Sequence, residues 1–289
     1  MNLYRPEAQT ILLFRECYAL EKIHGTSAHV AMAMGSGGGI GLLFHSGGEK
    51  HERFVGLFDS ATLRERFVAM GHNSVVVYGE AYGGSQQKQA WRYGPQLKFV
   101  AFDVRVGDVW LSVPQAADVC EKLGIEFVHY QRVSTDLAAL DAERDAPSEQ
   151  ARRNGVAGDQ PREGVVLRPI VELTMNNGER VCAKHKRDDE RETTTPRKVV
   201  DPSQLEVLAG AEQIALEWVT ETRLSHVIDK VCPHAVLPEN TRAVVEAMLL
   251  DVQKEGAGEF VDSAEARVAI KKRAAKMFNE RARKVNAEG

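Results

Sequence analysis

Apolar residues gather in short β-branched, strand-like runs bounded by turn residues up to about residue 200 and fall at helical spacing beyond it, which predicts a β-rich half followed by a helical one. Val75-Val76-Val77-Tyr78 is a β-branched run. Lys98 to Val106 (KFVAFDVRV) has strand character, and Gly107-Asp108 separates it from Val109-Trp110-Leu111 as a two-residue hairpin turn would. Val165-Val166-Leu167 and Val181 to Lys186 predict a further strand pair, with Asn176-Asn177-Gly178 as the turn chemistry between them. Helices are expected near Ala61 to Met70 and over Gln115 to Leu123, the second closing at Gly124. Asp136 to Gln160 is polar and broken by Pro147, Gly155 and Gly158, which suggests a helix plus a mobile loop.

After Arg187 the run RDDERETTTPRKVVDPS has the charge and turn chemistry of a linker. Leu224, Val227, Ile228 and Val231 then fall at i, i+3, i+4 and i+7, as do Val245, Met248, Leu249 and Val252, so each set lines one face of a helix. A last helix, Ser263 to Lys284, carries Lys271, Lys272, Arg273, Lys276, Arg281, Arg283 and Lys284, a face suited either to backbone phosphates or simply to solvent. The layout predicts an α+β fold: a first domain over 1–196, a linker over 197–202 and a small all-α domain over 203–289.

Composition narrows the class without deciding it. The chain has 289 residues, 43% hydrophobic and 27% charged, with a formal net charge of −4. Those values suit a soluble globular protein and exclude a polybasic binder whose affinity rests on bulk charge, though a net sum hides local patches. Cys17, Cys120, Cys182 and Cys232 form no CxxC pair, so neither a zinc knuckle nor a disulfide framework is expected, and a reduced, cytoplasmic setting is. The first residues, MNLYRPEAQT, lack the basic and apolar regions of a signal peptide. Gly25 to Gly48 holds no Asp, Glu, Lys or Arg, yet its eight glycines and two histidines suit strands around a turn better than a membrane span. Within it, Gly35-Ser36-Gly37-Gly38-Gly39 lacks the Gly-Lys-Ser/Thr ending of a phosphate loop and predicts a hairpin turn. His72, His129 and His226 lack metal-ligand spacing and are taken as structural.

The chemistry concentrates in five segments. Glu21-Lys22-Ile23-His24-Gly25 would set Lys22 and His24 on one face, with Gly25 permitting close backbone approach. Tyr78-Gly79-Glu80, Phe99-Val100-Ala101-Phe102-Asp103, Arg162-Glu163-Gly164-Val165-Val166-Leu167-Arg168 and Lys184-His185-Lys186 follow. In this order they resemble the motifs of the covalent nucleotidyltransferases, the superfamily of nucleic-acid ligases and capping enzymes. His24, where DNA ligases and capping enzymes usually carry aspartate, is similar to the RNA ligase 2 family of ATP-dependent RNA ligases. Gln86 to Tyr93 is similar in spacing, and Val219 to Val231 resembles the opening of that family's helical C-terminal domain. The likeness therefore covers nearly the whole chain.

That resemblance implies a nucleotidyltransferase domain of ATP-grasp-like antiparallel sheets followed by the small helical domain. It implies that Lys22 takes AMP from ATP, that AMP passes to an RNA 5′-phosphate, and that the 3′-OH then attacks to expel AMP. A lysine nucleophile must shed its proton against a reference pKa of ~10.4, and burial and neighbouring cations favour the neutral amine. Lys184 and Lys186, two apart on a strand, would supply such a field and neutralise phosphate charge. By resemblance Glu80 accepts from the ribose hydroxyls, Glu163 sits beside the lysine and a phosphate-bound Mg²⁺ or Mn²⁺, and Glu21 lies with its backbone along the adenine edge. Phe102 stacks on adenine, a role for which Phe99 competes.

Two positions depart from the family. The arginine expected after the first motif falls on His45, counted back from Phe54-Val55-Gly56, and Arg53 lies close by as a substitute. Arg168 stands where the family carries lysine, a planar fork in place of a point charge. The expected partner is RNA, as nicked duplex or free ends, with no membrane association and a monomeric enzyme. The alternatives are a ligase-like nucleic-acid-binding protein with impaired catalysis, and a DNA ligase or capping enzyme, whose β-barrel OB domain the helical tail does not match.

Overall fold

The structure is a computed structural model, and it describes residues 2–4, 8–34, 39–86, 89–176, 178–190, 210–232 and 237–288. Asn2 and residues 7–187 form one compact unit, and residues 188–289, with residues 1 and 3–6, another. The expected 197–202 linker and both domain edges beside it lie outside the described residues, as do most of the Gly35–Gly39 turn and Asn177.

The first unit is built on two antiparallel sheets. Its strands are β1 (Glu16–Lys22), β2 (Gly25–Met34), β3 (Ile40–Ser46), β4 (Ser74–Tyr82), β5 (Lys98–Val106), β6 (Val109–Trp110), β7 (Tyr130–Ser134), β8 (Gly164–Pro169) and β9 (Ala183–Lys186). They assort as a four-stranded sheet, β7-β1-β8-β9, and a five-stranded sheet, β3-β2-β4-β5-β6. The chain crosses from one sheet to the other at Ile23-His24. Helices α1 (His51–Val55), α2 (Ser60–Ala69) and α3 (Val113–Leu123) cover one face of the larger sheet. There Val30, Met32, Val75 and Val77 pack against Phe54, Phe67 and Leu123 in a core removed from water. Asp59 starts α2 by accepting from the Ala61 and Thr62 amides at 3.1 and 3.3 Å. A second apolar cluster joins the sheets, with Leu20 and Ile23 meeting Tyr82, Tyr93 and Val100.

The α+β layout is as the patterning predicts and the antiparallel sheets as the resemblance implies, with the paired β8 and β9 and the β5–β6 hairpin at their expected places. Asp136 to Gln160 differs. It forms two helices, α4 (Leu137–Asp145) and α5 (Glu149–Arg153), and the chain after them is tied back where the Ser148 amide donates to the Gln160 carbonyl at 2.7 Å. Pro147 ends the first helix and Ser148 caps the second.

The second unit is helical: α6 (Ala211–Trp218), α7 (Glu221–Val231), α8 (Thr241–Glu255) and α9 (Ala264–Glu288). Trp218, Leu224, Met248, Ile270 and Phe278 are all fully buried in its core. The three predicted helices are present, and α6 adds Ile214 and Trp218 four residues apart on one buried face. Among the described residues no helix is long and apolar enough to cross a membrane.

Candidate active site

Three neighbouring strands of the smaller sheet bring the first and last motifs together. Lys22 pairs with Gly164, and Gly164 pairs with Lys186, so residue 164 lies between the two lysines in one cross-sheet row. Glycine is required there: a Cβ on Gly164 would stand 2.2 Å from the His185 carbonyl oxygen and 2.7 Å from Lys186 Cα. Two rows along, Leu20 pairs with Val166 and Val166 with Lys184, which places Lys184 on the same face as Lys186 while Ala183 and His185 turn inward.

Glu163, immediately before β8, is the centre of the group. Its Oε2 accepts from Lys22 Nζ at 2.7 Å, its Oε1 lies 3.2 Å from Lys186 Nζ, and His24 Nδ1 lies 3.4 Å from Oε2. The carboxylate is buried, which alone would raise its pKa. Lys22 and Lys186, with His24 hydrogen-bonded beside them, outweigh that cost and hold it well below the ordinary carboxylate range. Among the described ion pairs one carboxylate stands between two lysines, and Lys22 and Lys186 keep 20% and 15% of their side chains exposed. An anion is the ligand such a group can accommodate.

The other predicted residues are placed around this centre in different ways. Gly25 opens β2, where a Cβ would fall 2.4 Å from the Ala81 carbonyl oxygen and 2.9 Å from Glu80 Cγ, so its bareness lets β4 carry Glu80 close by. Phe102 occupies an irregularity in β5: Tyr78 pairs with Asp103 and Gly79 with Ala101, which leaves Phe102 without a partner and re-aims its ring. The ring is partly buried against the cluster of Leu20, Tyr82 and Val100. Phe99, its competitor, is buried in the helix-covered core against Phe54 and Phe58.

Glu21 points to the opposite side of β1 from Lys22. Its carboxylate accepts from the Ser148 hydroxyl and from the Glu149 and Gln150 amides at 3.0 and 3.2 Å, capping α5. Burial raises its pKa despite these bonds and the nearby Arg162.

Arg168 is committed within the protein. Nε donates to Glu172 at 2.9 Å, Nη1 to the Phe102 carbonyl and Asp103 at 3.3 and 3.0 Å, and Nη2 to the Leu111 carbonyl at 2.8 Å and again to Glu172. All five of its donors are used, which leaves none for the phosphate contact expected of it. Arg180 closes the figure by bonding Asp103 and Glu172 from the other side. His45 stacks on His29 with ring centres 5.0 Å apart, and Arg53 lies 3.3 Å from Glu49. Neither of the two candidates for the missing arginine is joined to Glu163.

Tyr93 is a member that motif spacing did not single out. Its hydroxyl accepts from the His24 amide at 3.2 Å and so steadies the turn between the sheets, and burial pushes its phenol pKa up. An aromatic near the end of the Gln86 to Tyr93 segment was its only signal.

Comparison with known proteins adds the following. The sequence model described as RNA ligase matches residues 15–186, more than half of the chain. No curated protein matches. Among solved structures, the chain is similar to a lysine-to-alanine mutant of Naegleria gruberi RNA ligase with ATP and Mn, at 15% identity over 64% of this chain and 53% of that one, with a TM-score of 0.47. It is also similar to Naegleria gruberi RNA ligase with PPi, at 16% identity over 63% and 53%, TM-score 0.47. The chain thus spans about half the length of these solved proteins.

Proposed function

This chain belongs to the RNA ligase family, and on that premise we propose that it joins RNA 3′-OH and 5′-phosphate ends with AMP carried on Lys22. The observation that carries the reading is the buried Glu163 flanked by Lys22, Lys186 and His24. Lys22 Nζ attacks the α-phosphorus of ATP, a nitrogen–phosphorus bond forms, and the bond to the bridging β-phosphate oxygen breaks to release pyrophosphate. An RNA 5′-phosphate oxygen next takes AMP from Lys22. The 3′-OH of the adjoining end then attacks that phosphate, and AMP leaves.

An ammonium has no lone pair, so Nζ must lose a proton first. Glu163 Oε2 at 2.7 Å is in position to receive it, yet a carboxylate held so low is a weak base. A polyphosphate that draws Lys186 toward itself removes one of the cations depressing Glu163 and makes it a better acceptor at the moment the nucleophile is needed. Lys184 and Lys186 meet the charge on the α-phosphate and the departing pyrophosphate. Glu80 is assigned to the ribose and Phe102 to the adenine face.

Mg²⁺ or Mn²⁺ is expected to enter with the nucleotide. Among the described residues no three His, Cys, Asp or Glu side chains converge, and both Glu163 oxygens face lysines. These residues do not fit a metal cage of their own, so the ion's holders are the phosphates, whose charge it offsets. For the RNA, α9 exposes Lys272, Lys276 and Arg283. Lys271, Arg273 and Arg281 are instead bonded to Glu246, the Val219 carbonyl and Ser225 within the helical unit.

A second reading, a nucleic-acid binder with impaired catalysis, is favoured by one observation, the complete internal use of Arg168. Incubation with α-labelled ATP and Mg²⁺ separates the two. The ligase reading expects a covalent adduct in the parent and none in Lys22→Ala; a parent without an adduct supports the second reading. Sealing of nicked RNA, hybrid and DNA duplexes then reads the substrate.

A further inference from the structure

Four aromatic rings are in contact across the five-stranded sheet, on the face opposite its helix-covered core. His45 of β3 stacks on His29 of β2 at 5.0 Å and 27°. His29 meets Tyr78 of β4 at 5.7 Å, and Tyr78 meets Trp110 of β6 at 5.1 Å. The register explains the row, since His29 pairs with His45 on one side and Tyr78 on the other. Arg180 ends it, its guanidinium 4.1 Å from the Trp110 ring centre.

Core packing does not account for these rings. His45 is exposed and His29, Tyr78 and Trp110 keep part of their surface in water, whereas Val30 and Val77 on the other face of the same strands are fully buried. The row also continues the proposed nucleotide site. Ser27 and Glu80 pair two residues along the same strands, a step of about 7 Å at ~3.4 Å per residue. Arg105 adds a cation beside it: its guanidinium lies 5.9 Å from the Trp110 ring, its Nε is buried with no hydrogen-bond partner, and it has no carboxylate partner among the described residues. Burial, and then the adjoining His45, hold His29 below its ordinary pKa, so near neutral pH His29 presents a flat ring rather than a charge.

We propose that His45, His29, Tyr78 and Trp110 form a stacking platform for unpaired bases of the RNA strand whose end lies at the Glu80 pocket, with Arg105 meeting that strand's backbone. The assignment rests on the ligase reading for the identity of the strand. Every base has a π-face, so such a platform binds without regard to sequence. Where the family is expected to place an arginine on phosphate or ribose, this chain has an imidazole already stacked on a second one.

The test uses the full chain and fluorescence anisotropy with an end-labelled single-stranded oligouridylate, the same strand made abasic, and a blunt RNA duplex. The parent is expected to prefer the base-bearing strand over the abasic one. Tyr78→Leu, which keeps apolar bulk but removes the ring, is expected to lose about tenfold in affinity together with that preference. Tyr78→Phe should stay within about twofold of the parent, which distinguishes loss of the ring from loss of the fold. The proposal is overturned if Tyr78→Leu keeps the base preference, if the parent has none, or if the blunt duplex competes as well as the single strand. Adduct formation from ATP alone, measured on the same parent preparation, reports on the ligase reading separately: a parent that makes no adduct but shows the Tyr78-dependent preference loses that reading and keeps the platform.

Discussion

Strand β8 carries a buried charge cluster at each end, and the two differ in balance. At its start Glu163 faces two lysines and His24, one carboxylate against several partners among the described ion pairs, with the lysines partly open to water. Near its end Arg168 and Arg180 face Asp103 and Glu172, two charges of each sign, with all five Arg168 donors satisfied. A balanced, saturated cluster has nothing left to offer a ligand and serves as a brace between the sheets. An unbalanced, half-open one is completed by an anion. Two buried ionic groups on one strand thus hold different functions because of stoichiometry rather than burial.

The largest expected effect breaks the brace. Arg168→Met leaves Asp103 and Glu172 buried with Arg180 alone, and we expect a loss of about 3–5 kcal/mol in urea unfolding. Arg168→Lys should fall between, because one point charge replaces a five-donor fork. If Arg168→Met unfolds with the parent, the cluster is not structural and the comparison collapses. Next, Lys186→Ala should lower the rate of adduct formation by about 10²–10³-fold, the scale of losing one transition-state charge partner. Its melting temperature should stay near the parent's, since Glu163 retains Lys22 at 2.7 Å. A variant that loses stability instead of rate would place Lys186 with the brace.

How far the sequence foretold these clusters follows from the range of the interactions. Lys22, Glu163 and Lys186 stand out through their motifs, yet their meeting depends on the register of β1, β8 and β9, which no local pattern encodes. The internal commitment of Arg168 is hidden from the sequence for a related reason. Glu172 is four residues on, but Asp103 and the Leu111 carbonyl come from more than fifty residues away, so its saturation is visible only in three dimensions. The irregularity that leaves Phe102 unpaired is marked only on the partner strand, by Gly79, where a Cβ would fall 2.3 Å from the Val100 carbonyl oxygen. Helix α6 has only a short local signal, Ile214 and Trp218 at helical spacing.

Acidification sharpens the contrast through sign. Glu163 is held below its ordinary value of 4.5, so the stability it contributes is complete above that pH and declines as the pH falls through its folded pKa. Asp103 runs the other way: burial raises it above 3.8 despite Arg168 and Arg180, so the folded state takes up its proton more readily than the unfolded chain does. Urea midpoints measured from about pH 5 down to about pH 3, across and below the ordinary value, should fall for the parent and fall less for Glu163→Gln. Equal slopes would mean that Glu163 is not held low in the folded protein.

The smallest effect concerns how the unbalanced cluster is kept in register. The His24 amide donates to the Tyr93 hydroxyl at 3.2 Å, and His24 in turn touches Glu163. Tyr93→Phe removes the acceptor while keeping the buried ring, and leaving that amide unpaired should cost about 1 kcal/mol, within the usual range for a lost hydrogen bond. If Tyr93 serves only the core, that cost appears in unfolding and nowhere else. If it positions the turn from which Lys22 and His24 reach Glu163, the maximal rate of adduct formation should also drop several-fold while the ATP concentration for half-maximal rate changes little. That split between rate and affinity is what a purely packing role does not produce.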